Sequence, residues 1–405
     1  MKRVLLVLIA GLVTLICTAA VTEKNVAERA PVVNRQNTEK IVIRDSSRKL
    51  SGKLAVAIAE TPVGTGLDRR GGKASQGVAG IPGAPQPSYL IAVLWAIWVG
   101  WIFSTIGAFG GIMAGVGHIT IFGLGDYAKT LQKTDPMLNK LLTDTIRASN
   151  QYLVALASLI STFNFYRMKR IVLPLGVALG TGSLLGAVLI PWLTAGKIHV
   201  SQYIGYFGIV VLIIGGLLFY ETTPRGQRRK QKAQETAAAF QKRIKEKGIT
   251  LKQGVQVSHV DFEEVCFRFL DTEFRFHPIL PVIGGFLIAA LSSFLGVGGG
   301  FLYVPFMTSI VGLPMFLVAG TSALAVFLSM VVSLFTYVAI KGTLIDWSLI
   351  GVEMVGVCIG AMIGPRTQQY IPDIWLKRIF VVLALYVGLR YFSKGFFGQS
   401  WLPPE

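Results

Sequence analysis

The sequence has little charge, little cysteine and little histidine. Only 15% of its 405 residues are charged, against about 25% in a typical soluble domain. The charges are missing from long apolar blocks, which indicates that lipid is the solvent for much of the chain. Cys17, Cys266 and Cys358 are far apart and form no CxxC pair, and the four histidines are also scattered. Neither a metal site nor a disulfide framework is therefore expected.

The apolar segments also lack the motifs of hydrolytic and metal-dependent enzymes. They contain no HExxH, no GxSxG, no histidine cluster and no paired carboxylates, so we expect no catalytic residues and no cofactor. The net charge of +18 does not indicate a nucleic-acid partner, because no zinc spacing or RNA-binding aromatic motif accompanies it. The basic excess lies in the N-terminal stretch and one central loop, where it suits the headgroups of membrane lipid.

The N-terminal 88 residues divide into two parts. Residues 1–21 place a basic start, an apolar run and small residues in the order of a secretory signal peptide, and an uncleaved anchor helix fits the same pattern. Residues 22–88 are polar and end in a Gly/Pro-rich tract, which indicates a flexible linker.

Two apolar blocks, 89–222 and 278–398, make up most of the remaining chain. Each holds about four hydrophobic segments near the ~20 residues that cross a bilayer, and the first segment of each block is longer. The sequence therefore predicts an all-α integral membrane protein. The segments lie at roughly 89–124, 148–168, 171–195, 202–222, 278–312, 314–340, 346–365 and 375–395.

The loop between the blocks, 223–277, changes character halfway. Its first half is basic, and residues 255–276 alternate apolar and polar in a pattern that predicts a small β-hairpin. The loop is either a solvated cytoplasmic connector or a surface for a partner or anionic lipid.

The two blocks resemble each other and indicate an internal repeat. Residues 107–111 (GAFGG) align with 296–300 (GVGGG), and matching small and polar residues recur in the segments that follow. Glycine runs inside an apolar segment should break the helix, and lipid tolerates such a break only where protein or a cavity satisfies the freed backbone groups. The N–H groups of the following half-helix then attract anions. The alternative is that the glycines only permit close helix packing. The glycines concerned are Gly110, Gly111, Gly298, Gly299 and Gly300.

Basic residues near the segment ends predict the orientation. Arg167, Lys169 and Arg170 follow the second segment, and a basic cluster from Arg225 follows the fourth, so both ends should be cytoplasmic. If the first segment of each block is a re-entrant hairpin, the halves become inverted repeats. A plain bundle of eight spans remains the alternative.

The second block resembles the TauE/SafE family of sulfite exporters. The resemblance rests on GVGGGFLYVP at 296–305, AGTS at 319–322, KG at 341–342 and DW at 346–347, followed by a Gly-rich third segment. It is strong over about 290–395, weaker over 90–222, and absent from the N-terminal 88 residues and the central loop. The first half departs from the pattern, with Ser149-Asn150-Gln151 in place of a Gly-Thr-Ser step and Phe109 in place of a glycine.

The resemblance implies transport of sulfite, organosulfonates or related sulfur anions, usually outward, across the inner membrane of a bacterium. It also implies functional positions at the Gly-rich break and the Thr-Ser step. The matching residues in this sequence are Gly296, Gly298, Gly299, Gly300, Pro305, Thr321 and Ser322.

Polar residues within the segments are further candidates for the site. Thr321 and Ser322 either donate to an oxyanion or bond within their helix, and the amides of Asn150 and Gln151 occupy the aligned positions. Arg147 either attracts an anion or snorkels to the headgroups. Glu353 either carries a proton inside the membrane or lies near the interface at its helix start.

Three functions are compatible with these features. Matching helix breaks in two blocks favour a transporter of small anions, since a scaffold or receptor that binds partners through its loops has no need of them. An anion channel would share the same sequence features. A homo-oligomer is compatible with each of them.

Overall fold

The computed structural model describes residues 77–81, 83–106, 110–229, 255–261, 263–269, 272–309, 311–313, 315–367, 370 and 373–402, together with Leu54. The predicted signal peptide or anchor at 1–21 lies outside these described residues. So do nearly all of the 22–88 linker and most of the basic half of the central loop.

The described residues of the first membrane block form six helices. A π-helical turn at Gly117–Ile121 follows the second helix and continues its direction. The helices are α1 (Tyr89–Ile106), α2 (Gly110–Val116), α3 (Leu124–Thr134), α4 (Pro136–Arg167), α5 (Leu173–Thr194) and α6 (Val200–Thr222).

The central loop begins with a short helix, α7 (Pro224–Arg229), and ends in a sheet. Residues 255–276, predicted as a hairpin, form three antiparallel strands in sequence order: β1 (Gln256–Val260), β2 (Val265–Phe269) and β3 (Thr272–Phe276). Because side chains alternate between the two faces of a strand, the rings of Phe267, Phe269, Phe274 and Phe276 are buried on one side of the sheet. The Val255 N–H donates to the Lys169 carbonyl at 3.1 Å, so the sheet lies beside the basic loop that follows α4. We call this end of the molecule the sheet face and the opposite end the far face.

In the second membrane block, the part that the structure describes forms five helices. A π-helical turn at Thr336–Ile340 continues the third of them. The helices are α8 (Ile279–Leu295), α9 (Gly300–Ser309), α10 (Met315–Phe335), α11 (Trp347–Thr367) and α12 (Asp373–Phe396).

Several helices have the length and composition of membrane spans. Among the described residues, Leu173–Thr194, Val200–Tyr220, Leu317–Ile340 and Trp347–Thr367 are long and apolar enough to cross a bilayer. The apolar helices Tyr89–Thr105, Gly110–Ile121 and Ile279–Leu295 are shorter. With few strands, the described chain has the mostly helical character expected of an α-helical membrane protein.

The chain reverses direction between α8 and α9. The intervening glycines Gly296, Gly298 and Gly299 have φ values of 69°, 82° and 66°, a left-handed conformation that ends the helix. Gly299 lies against Ser292 of α8, and Gly284 lies against the ring of Phe306, so α9 runs back along α8. The helix that follows, α10, starts beside residues 165–171. The segment therefore enters from the sheet face and returns to it.

A second reversal joins α1 and α2. The Trp95 indole N–H donates to the Met113 carbonyl at 3.0 Å, and Gly117 also lies against Trp95, so α2 runs back along α1. Both ends of this segment lie at the far face. There Gly123 contacts Pro85, and the Ala79 N–H donates to Asp346, which caps the start of α11.

Glycines bring the helices together in pairs, as expected in lipid, where small residues permit close contact. Backbone contacts join α1 to α11, α5 to α8 and α6 to α12. The helices α4 and α10 also pack on each other. The glycines at the three glycine-rich contacts include Gly356, Gly360, Gly364, Gly182, Gly186, Gly285, Gly208, Gly388 and Gly395.

Two glycines of α11 provide a matched test of this packing. A Cβ at Gly360 would overlap the Ile97 carbonyl of α1, whereas a Cβ at Gly351 meets nothing within 4 Å. We expect Gly360→Ala to destabilise the fold by about 1–3 kcal/mol through overpacking. Gly351→Ala should be neutral or stabilise by about 0.5–1 kcal/mol, because alanine favours the helix. Thermal unfolding of the purified protein in detergent checks both, and equal melting temperatures would contradict the packing at Gly360.

Candidate functional site

The two chain reversals meet inside the protein. Gly111, in the first turn of α2, lies so close to the Val297 carbonyl that a Cβ would overlap it. Gly298 likewise leaves no room for a side chain against Val154 and Val326. The broken ends of α8 and α9 are therefore enclosed by protein, which is the condition for irregular backbone at membrane depth.

Arg147 of α4 is fully buried beside this junction. Its guanidinium donates to Asp144 at 3.1 Å, to the Thr194 hydroxyl at 3.0 Å and to the Ser293 carbonyl at 3.4 Å. The other Asp144 oxygen accepts the Gly196 N–H at 2.6 Å. The side chain therefore does not snorkel to the headgroups. It forms an internal ion pair that links α4 to the ends of α5 and α8.

The packing of Arg147 holds it against the break between α8 and α9. Its guanidinium carbon lies 5.4 Å from the ring centre of Phe294 and 5.1 Å from that of Tyr337. Gly296 faces the Arg147 backbone, where a Cβ would lie 2.8 Å from the carbonyl oxygen. The first residue of the break therefore requires glycine for its φ angle and for its closeness to α4.

Asn150 and Gln151 are buried one turn further along α4. Within the described part of the chain, neither side-chain amide makes a hydrogen bond of ordinary geometry. Asn150 lies beside Gly115, His118 and Tyr203. Buried amides whose hydrogen bonds are not well formed are costly, so these two groups are suited to bind a polar ligand.

Tyr203 connects this position to the helix break. Its hydroxyl donates to the carbonyl of Leu295, the last residue of α8, at 2.8 Å. The tyrosine also lies within electrostatic range of Arg147 and Tyr337. Arg147, Asn150 and the break between α8 and α9 thus form one polar region in the interior.

Glu353 of α11 lies inside the protein. Its side chain is buried, with one carboxylate oxygen 3.3 Å from His118 Nε2. The other ring nitrogen, Nδ1, lies 3.1 Å from the Ala114 carbonyl. An Nδ1–H that donates to this carbonyl orients the ring so that Nε2 faces the acid. The arrangement is a buried acid–imidazole pair in contact with the Asn150 region.

Thr321 and Ser322 lie elsewhere, near the sheet face. The Thr321 hydroxyl donates to the Leu317 carbonyl at 2.8 Å and accepts the Val172 N–H at 3.1 Å. The Ser322 hydroxyl donates to the Ala319 carbonyl at 3.1 Å. Both residues belong to the first two turns of α10, which starts at the sheet face, so the structure does not bring them together with Asn150 and Gln151.

Sequence reasoning did not assign His118, Tyr203, Asp144 or Thr194 to the site. Asp144 stands three residues before Arg147, a spacing that places both side chains on one helix face, and this signal was available. The other three come from separate helices or helix ends, and only the folded chain brings them to the site.

Apolar helices of bilayer length, paired chain reversals and a polar interior define a multi-pass helical membrane protein. The family model described as sulfite exporter TauE/SafE matches residues 91–391, and the chain belongs to this family. Members of the family are membrane transporters and not enzymes. The resemblance seen in the sequence is thereby confirmed, and the match extends through the first block.

One curated relative is a probable membrane transporter protein from Methanocaldococcus jannaschii. The two sequences are 32% identical over 130 residues, which cover 30% of this chain and 48% of the relative. The chain thus spans about half the length of the curated relative it matches. No solved structure matches the chain.

Proposed function

We propose that this protein is a secondary transporter that moves small sulfur-containing anions, sulfite or organosulfonates, out of the cell across the cytoplasmic membrane. The observation that carries the proposal is the junction of Gly111 and Val297, where two chain reversals meet. The break contacts α4 at Arg147 and Val154, which flank the buried amides of Asn150 and Gln151. Family membership supports transport, and the donor-rich interior supports an anion as the cargo.

The proposed architecture is a pair of inverted repeats. One reversal starts and ends at the far face and the other at the sheet face. The two halves also exchange equivalent contacts. The first helix of the first block, α1, packs on α11 of the second block, and the first helix of the second block, α8, packs on α5 of the first block. This exchange is expected for two halves related by an axis in the membrane plane, and alternating access then operates around the junction.

The anion in this proposal binds to neutral donors. The first-turn N–H groups of α2 and α9 have no partner within their own helices and carry partial positive charge. These half-helices start at Gly110, Gly111 and Gly300. The amide of Asn150 lies beside Gly115, further along α2, and Gln151 is the next residue of α4. Arg147 raises the local potential, but Asp144 balances its charge. Binding through donors of this kind holds an anion while still permitting its release.

Thr321 and Ser322 are the sheet-face counterparts of Asn150 and Gln151 in the proposed repeat. Their hydroxyls are engaged in this conformation. We assign them to the sheet-face half of the pathway, where the anion contacts them after the hairpins rearrange. The break at Gly298 and Gly299 permits that rearrangement, because glycine adopts several backbone conformations at little cost.

Outward movement fits the membrane energetics. A monoanion that leaves a negative-inside cell gains about 2.3 kcal/mol per 100 mV. Export therefore needs no coupling ion, whereas import against the same potential does.

The first test is flux of sulfite, sulfate, thiosulfate and a small sulfonate in liposomes with a set potential. We expect Asn150→Leu to lower flux of the transported anion about tenfold or more, because it removes a donor at the site. The control is Asn164→Leu on the same helix, whose amide makes only a 3.4 Å bond to the Ala361 carbonyl. Flux that does not saturate with anion concentration would favour a channel. No flux from folded protein would favour a scaffold.

We further propose that Glu353 and His118 carry one proton between them. Burying an acid in a membrane protein is costly, so a buried acid indicates a function. Here the partner of the acid is the His118 ring, which can also bind a proton, at 3.3 Å. The pair lies next to Asn150. Because of this contact, the protonation state of the pair influences the charge that an anion meets at the site.

Substitution of the acid tests this role. In wild-type liposomes we expect a pH gradient to change sulfite flux at constant membrane potential. Glu353→Gln keeps the side-chain shape and removes the carboxylate that would carry the proton, so its flux should follow the potential but lose its response to the pH gradient. A Glu353→Gln protein that still responds to the gradient like wild type would contradict the proton role.

A further inference from the structure

A cluster of basic side chains lies at the far-face end of α12. Arg390 and Lys394 stand four residues apart on one helix face, with exposed fractions of 5% and 8%. The half-buried Lys129 of α3 joins them by donating to the Lys394 carbonyl at 2.8 Å. Asp126 pairs with Lys394. Three cations in this cluster thus face one carboxylate.

Arg390 has no counter-ion among the described residues. No carboxylate of the described chain pairs with its guanidinium, and its buried Nε has no hydrogen-bond partner there. The Nε of Arg147 also has no partner there, but the two terminal nitrogens of Arg147 bond to Asp144, Thr194 and Ser293. One buried arginine is neutralised by the protein and the other is not.

A buried arginine without a partner is unfavourable for the fold. Burial removes the guanidinium from water, and an ion pair or hydrogen bonds normally offset that cost. A residue that served packing alone could be apolar at this position. The cost is offset if an anion occupies the site during function, since a guanidinium presents a planar fork of donors to oxyanions.

The surroundings affect the charge of one lysine and add two hydroxyl groups. Burial lowers the pKa of the Lys129 amine, and the charge of Lys394 lowers it further, while Asp126 opposes the change. The hydroxyls of Thr120 and Tyr391 lie 2.9 Å apart, and Tyr391 lies within electrostatic range of Arg390. An oxyanion therefore meets both charged and neutral donors here.

Aromatic contacts connect this cluster to the interior. The ring of Phe207 lies 5.5 Å from that of Tyr391 and 6.0 Å from that of Tyr203, between ring centres. Phe207 also packs against Gly115, which faces Asn150. The cluster thus lies between the far face and the polar region around Asn150.

We propose that Arg390, Lys394 and Lys129 form a second, far-face binding site for a small oxyanion. This inference rests on the proposed transport function, in which the site receives the anion between the interior and the far face. The phosphate of a lipid headgroup has the same chemistry and would fit the same donors.

Binding in nanodiscs of neutral phosphatidylcholine tests the site without requiring flux. We expect radiolabelled sulfite or sulfate to bind wild type, and Arg390→Gln to weaken this binding about tenfold or more. Arg390→Lys should retain part of it. Lys133→Gln is the control, because it removes an exposed cation from the same helix as Lys129. Equal affinity of wild type and Arg390→Gln overturns the proposal, even if liposome flux is normal.

A second set of nanodiscs distinguishes the two sources of oxyanion. If phosphatidylglycerol raises the melting temperature of wild type but not of Arg390→Gln, and sulfite has no such effect, the ligand is a lipid headgroup. If sulfite gives this difference in neutral lipid, the ligand is the free anion. If neither lipid nor sulfite distinguishes the variant from wild type, no oxyanion site exists at Arg390.

Stability without anion separates a binding role from a structural one. We expect Arg390→Gln to melt at or above the wild-type temperature in anion-free buffer, because it removes an unpaired buried charge. Arg147→Gln should melt lower, because it leaves Asp144 unpaired. A large loss of melting temperature in Arg390→Gln would show that the arginine holds the fold together and would contradict the proposal.

Discussion

The structure depends on one constraint: backbone groups freed by a break in a membrane helix must be enclosed by protein. Glycine meets this constraint twice. At Gly298 and Gly299 it permits the left-handed turn that ends α8, and at Gly111 it permits α2 to touch the Val297 carbonyl. The two reversals therefore enclose each other, and the polar side chains of α4 are held beside them.

The distribution of charge in the interior follows from this enclosure. Asp144 neutralises Arg147 next to the junction, and Glu353 pairs with His118, so the interior offers neutral donors beside two paired acids. Toward the far face, Arg390 is buried without a carboxylate among the described residues. In the proposed export, the anion passes from neutral donors in the interior to unbalanced positive charge toward the far face.

Local features of the sequence predicted much of the fold. The glycine run at 296–300 interrupts an apolar segment and has few structural alternatives, so the break between α8 and α9 was predictable. The third strand was not predictable, because only two residues separate Phe269 from Thr272 and the alternation of apolar and polar residues continues across them. The contact of His118 with Glu353 depends on α11 packing against the first block, for which the sequence has no local signal. The hydrogen bond from the Val172 N–H to the Thr321 hydroxyl is likewise a tertiary contact without a local signal in the sequence.

The most direct test of this account is the sidedness of the two reversals. Single cysteines at Ser88, Lys133, His277 and Gly312, in a background without the native cysteines, can be labelled in intact cells with a membrane-impermeant maleimide. Two re-entrant hairpins from opposite faces place positions 88 and 133 on one side of the membrane and positions 277 and 312 on the other. Labelling of 88 and 133 from opposite sides would mean that α1 and α2 form one plain crossing, and the enclosed junction would not exist.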